Sequence, residues 1–105
     1  MNLEYYKFST LSAFQRSLYT ISLFSMLEEK HAETCSFDEW TERLFEKDGK
    51  LKHGNEIIIC EDNAFVVGVL IKEKEGKEKI YIIPEYTCKG LDTVMKWMCR
   101  GWNID

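Results

Sequence analysis

Proline occurs once and glycine six times in 105 residues, so neither a collagen-like repeat nor a long disordered stretch has the composition it requires. No apolar run approaches the eighteen or more residues of a membrane span. Asn2, Glu4 and Lys7 interrupt any early apolar stretch, so no secretory leader is expected. No cysteine pair has CxxC spacing. The four cysteines, Cys35, Cys60, Cys88 and Cys99, are therefore expected to be reduced thiols of a cytoplasmic protein. His31 and Cys35 are four apart and could join Cys60 or His53, but that spacing fits no zinc motif, and no metal is expected. Basic charge is short as well. Lys and Arg total 14 against 18 Asp and Glu, a net charge of −4, which argues against direct nucleic-acid binding.

What remains is an ordinary globular composition, 45% hydrophobic and 13% aromatic. A chain of this length forms one domain, residues 1–105, and buries roughly two-thirds of its unfolded surface. The negative charge is concentrated. From Glu28 to Asp48 eight acids face only Lys30, Arg43 and Lys47. Such a run is expected to be a solvated face, or else an acidic surface for a basic partner.

Leu3 to Phe8 reads as an aromatic-rich strand. Ser9-Thr10 offers a cap for a helix reaching about Glu33, with Leu11, Phe14, Leu18 and Ile21 at spacings of three and four. Apolar residues lie on more than one side of it, which predicts a well-buried helix. Ser36 and Glu39 have capping-box spacing ahead of a short second helix whose stripe is Phe37, Trp40 and Leu44, ended by Asp48-Gly49. Strands follow at Glu56–Cys60, Phe65–Ile71 and Ile80–Ile83, joined by the polar turn 61–63 and the charged hairpin 72–79; Pro84 should end regular pairing. A last helix starts near Gly90, with Leu91, Val94, Met95, Met98 and Trp102 on one face. The order is β-α-α-β-β-β-α. The fold class expected is α+β (mixed α/β), a mostly antiparallel sheet covered by helices.

Three fragments carry a family resemblance: Ile57 to Asn63, Phe65 to Leu70, and Ile80 to Leu91, which contains Pro84-Glu85-Tyr86-Thr87-Cys88-Lys89-Gly90. In these, and in the element order, the chain resembles the GNAT family of N-acetyltransferases. The resemblance implies that the last fragment is a fourth strand, a cofactor turn and the start of a helix. In that family the acetyl-CoA pyrophosphate rests on backbone N–H groups at a helix N-terminus, where small residues allow close approach. Cys88, Lys89, Gly90 and Leu91 are then the cofactor-binding candidates.

The motif is degenerate here. Only Gly90 matches; Thr87 stands at the Arg/Gln position, and Asp92 places a carboxylate where a pyrophosphate would sit. Asp92 suits the first turn of the helix instead. The family's later strands and its general-acid tyrosine have no counterpart before Asp105. Glu61, Asp62, Glu85 and Tyr81 remain as proton carriers, Glu85 and Tyr81 foremost. No cofactor is expected, and acetyl-CoA should bind more weakly than about 1 mM.

The function expected is a small protein-binding or regulatory module on a degenerate acetyltransferase-like fold, such as a phage or mobile-element inhibitor of a host protein. An open sheet edge would invite a partner strand. A minimal acetyl-CoA-dependent N-acetyltransferase completed by dimerisation is the alternative, and an acidic nucleic-acid mimic a further one. Trp97 lies off the core stripe of the last helix, so Trp97, Trp102 and Ile104 are the expected contacts to a protein partner or a second copy.

Overall fold

Strands form at Leu3–Lys7 (β1), Glu56–Asp62 (β2), Phe65–Lys72 (β3) and Glu78–Ile82 (β4) in a computed structural model that describes residues 1–100. Helices occupy Ala13–Glu29 (α1), Phe37–Leu44 (α2) and Leu91–Arg100 (α3). The sheet order is β1-β2-β3-β4 and every neighbouring pair is antiparallel. The molecule is an α+β fold with one four-stranded antiparallel sheet and three helices.

β2 explains its own composition. It sits between β1 and β3, and Ile57 to Cys60 are all fully buried, so both faces of the strand need apolar side chains. Ile57 and Ile59 face one core with Val69, Ile71 and the helices α1 and α2. Ile58 and Cys60 face a second core with Val67, Leu70, and Leu91 and Met95 of α3. Gly68 lets α3 come close: a Cβ there would lie 3.3 Å from Met95 Cε and 3.4 Å from Leu91 Cδ2. The first core is aromatic. Trp40 stacks at tilted or edge-on angles against Phe24 and Phe45, with ring centroids 5.3 and 5.5 Å apart. Each such pair contributes about 0.5–1.5 kcal/mol beyond its area.

Several local expectations need correction. Ser9-Thr10 does not cap α1. Phe8–Thr10 forms a 3-10 turn, and Ser12 is the N-cap, its hydroxyl accepting from Gln15 N while Gln15 returns to Ser12 N. α1 ends at Glu29 rather than near Glu33, because His31 takes a positive φ of 60° and turns the chain. Most importantly, Phe14, Leu18 and Ile21 are not core residues: they are 74%, 54% and 61% exposed, while Leu23, Phe24 and Leu27 are buried. α1 carries apolar residues on two sides, and the sheet holds only one. The polar turn after β2 is shorter than expected. β2 runs on to Asp62, and Asn63 and Ala64, with φ of 50° and 72°, make the two-residue link.

Candidate functional site

The β4–α3 turn is where the resemblance places a cofactor. β4 ends at Ile82, and Pro84–Tyr86 form a 3-10 turn in which Glu85 is exposed. Cys88, Lys89 and Gly90 are exposed too, and Gly90 has the φ of +79° that favours glycine. Leu91 differs. The residue is fully buried in the second core at the start of α3 and presents no surface to a ligand at the turn. Asp92 lies in the first turn of α3, where a carboxylate favours the helix dipole. Tyr86 holds the turn to the sheet: its hydroxyl donates to Asp62 Oδ2 at 2.5 Å, and Asn2 N donates to Asp62 Oδ1 at 2.9 Å. These bonds, Tyr86 first, hold the Asp62 carboxyl below the usual carboxylate range and push the Tyr86 hydroxyl up. Asp62 is thus an ionised acceptor that anchors the turn. Glu61 is buried and accepts from the Tyr19 hydroxyl, whose pKa is raised by burial and by that bond.

Tyr81 lies on the other face, against the first core. It lines a cavity of about 300 Å³ with Leu27, Ala32, Ile71, Glu33 and Lys79. Glu85 does not line it, so the structure does not join the two foremost proton-carrier candidates. Glu33 departs from the solvated acidic face expected for its segment. It is 5% exposed, paired to Arg43 and to Lys79 at 3.4 Å each, and Arg43 reaches on to Glu73 at 3.2 Å. Among the described residues no three His, Cys, Asp or Glu side chains gather as a metal site requires.

Of the expected partner contacts, Trp97 is 38% exposed on α3, while Trp102 and Ile104 lie outside the described residues. The larger apolar exposure is on α1. Phe14, Leu18 and Ile21 lie roughly 140° around the helix from Leu23, Phe24 and Leu27 at 100° per residue. No charged residue occurs from Ser17 to Leu27. An outward helix face is normally charged or polar. The signal was present in the sequence as a second apolar stripe interleaved with Ser17, Ser22 and Ser25.

No family model, curated protein or solved structure matches the chain. Among the described residues no helix is long and apolar enough to cross a membrane.

Proposed function

We propose that this chain is a regulatory protein-binding module on a GNAT-like scaffold, that the outer face of α1 is its contact surface, and that a second copy of the chain occupies it. The observation that carries the proposal is the exposed stripe of Phe14, Leu18 and Ile21, with no charged residue from Ser17 to Leu27. The element order, with α1 and α2 on one sheet face and α3 on the other, supports the scaffold.

Charge favours a second copy at this place. The acids of residues 28–48 repel their counterparts in another molecule, whereas the Ser17–Leu27 face brings no like charges together. The stripe is also self-complementary. In a two-fold antiparallel crossing centred on Leu18, Leu18 meets its own counterpart and Phe14 meets Ile21 of the other copy. Three side chains cover less than the roughly 800 Å² per partner of a standard interface, so association is expected in the micromolar to millimolar range.

Sedimentation equilibrium tests this. The wild type should dimerise reversibly, and Leu18→Glu should weaken the dimer at least tenfold with an unchanged circular dichroism spectrum. A wild type that stays monomeric to about 1 mM, or a dimer untouched by Leu18→Glu, refutes the α1 surface. Trp97→Ala is the second arm, because Trp97 is a partly exposed aromatic on the opposite side of the sheet. Loss of the dimer in that variant alone moves the contact to α3. Calorimetry with acetyl-CoA should find no binding tighter than about 1 mM; micromolar affinity would replace this reading with the enzyme reading.

A further inference from the structure

A cavity of about 380 Å³ lies at the end of the sheet opposite the β4–α3 turn, where β1 ends and β2 begins. Arg16, Lys50, Lys52 and His53 line it, with Ser9 and Asn55. No acid lines it. Among the described residues, neither Arg16, Lys50, Lys52 nor His53 forms an ion pair. In a chain of net charge −4, three cationic side chains, Arg16, Lys50 and Lys52, around one concavity form a local field of the opposite sign. We propose that this pocket binds a small phosphate-bearing anion.

The backbone that carries Lys50, Lys52 and His53 is held in place, although their side chains are exposed. This wall of the pocket, residues 50–55, is tied at several points. Phe45 and Leu51 form an isolated bridge, and Lys52 N donates to Leu44 O at 2.9 Å. Asn55 joins three segments: its Nδ2 donates to Leu44 O at 3.1 Å, its Oδ1 accepts from Lys74 N at 2.9 Å, and its own N–H reaches Lys52 O at 3.0 Å. Gly54 passes so close to Lys74 that a Cβ would lie 2.8 Å from Lys74 Cγ, and its φ is +89°. A side chain there is excluded by contact and by conformation alike. A wall held this way loses little entropy on binding.

Arg16 lines the pocket with its guanidinium held in place, one terminal nitrogen donating to Leu11 O at 2.9 Å. A phosphate oxygen is an acceptor that a guanidinium fits well. Nearby acids bound the site without entering it. Glu56 accepts from the Ser9 hydroxyl at 2.8 Å, and Asp48 accepts from Lys50 N at 3.0 Å. The neighbouring cleft shares Lys52, His53 and Asn55 but sets Glu46, Glu73 and Glu75 against Arg43, Lys52 and Lys74, so its charges balance where those of the pocket do not.

The volume exceeds that of a single phosphate group, leaving room for a second phosphate or a small organic body. An extended nucleic acid fits poorly, because it would also run past the acids at 46 and 48. The test is a titration of the ¹⁵N-labelled chain at constant ionic strength with sodium pyrophosphate, with ribose 5-phosphate and with a short oligothymidylate. Saturable shifts at Ser9, Arg16 and residues 50–55 with pyrophosphate or ribose 5-phosphate support the site, and the tighter of the two identifies the ligand class. Lys50→Ala with Lys52→Ala, both exposed and unpaired, should weaken binding at least tenfold with unchanged melting. No saturable shift at 10 mM, shifts centred on residues 85–92, or equal affinity in the double variant would overturn the proposal. Oligothymidylate binding more than tenfold tighter than both small probes would overturn it too.

Discussion

Arg43→Ala should be the most damaging single charge removal in this molecule. Arg43 on α2 touches Glu33 from the α1–α2 connection at 3.4 Å and Glu73 from the β3–β4 hairpin at 3.2 Å. At 3.4 Å and an effective dielectric of about 20, the gross attraction to Glu33 is about 5 kcal/mol. Two features reduce that figure. The Arg43 side chain is 36% exposed, so solvent screens it, and Lys79 stays beside Glu33 at 3.4 Å. Breaking a well-buried pair costs about 3–5 kcal/mol, chiefly because one charge is left buried and uncompensated. Here the buried charge is Glu33, whose side chain is 4% exposed. With Lys79 as partial compensation, the expected loss is about 2–3 kcal/mol. Lys79→Ala removes a half-exposed partner from the same carboxylate and should cost about 0.5–1 kcal/mol. Urea unfolding followed by circular dichroism measures both. A loss below about 0.5 kcal/mol for Arg43→Ala, or a larger loss for Lys79→Ala, would show that Glu33 does not depend on the guanidinium and refute the reasoning.

Ala64→Gly should stabilise the chain by about 1 kcal/mol, since Ala64 has a φ of 72° in the β2–β3 link and left-handed backbone is unfavourable for alanine; no gain in the urea midpoint would refute the turn geometry. Ser36→Ala removes the α2 cap, where the Ser36 hydroxyl accepts from Glu39 N at 3.2 Å, and should cost about 1 kcal/mol at neutral pH. The Ser36 backbone N–H and hydroxyl hold the Glu39 carboxyl below the usual carboxylate range. A carboxyl lowered by folding adds stability above its unfolded value of about 4.3 and loses it as pH falls through the folded value. Thermal melts below about pH 4.3 should therefore fall less steeply in Ser36→Ala than in the wild type, and parallel acid limbs would count against the capping box.

Much of the architecture was legible because it depends on neighbours in sequence. The Ser36–Glu39 capping box and the compact Ile57–Ile59 run each contain their own signal and appear where expected, whereas of the Phe37-Trp40-Leu44 stripe only Trp40 and Leu44 are buried, Phe37 being 39% exposed, and α2 stops at Leu44 rather than at Asp48-Gly49. α1 was not legible in the same way. Its two apolar stripes satisfy one helical period equally well, and the choice between them lies in Trp40 and Ile59, which come from distant parts of the chain. Glu33 belonged to an acidic run by composition, but Arg43 and Lys79 enclose it only once α2 and β4 are in place. The basic pocket has the same origin. Lys50, Lys52 and His53 are close in sequence, yet Arg16 joins them only through the docking of α1.

The β1–β2 pairing has a kinetic consequence. Leu3 pairs with Asp62 and Lys7 with Ile58, about fifty or more residues apart, whereas β2, β3 and β4 are joined by adjacent hairpins. Closing the long loop carries an entropic cost that the hairpins avoid, so the three-stranded meander is the part that can assemble from local encounters. β1 and the two helices that follow it must then arrive on a surface already formed. The side of the molecule that displays Phe14, Leu18 and Ile21 is therefore the side completed last. During synthesis the first fifty-five residues emerge before β2, the sheet partner of β1, and the apolar stripe of α1 spends that interval beside an equally unsatisfied inner face.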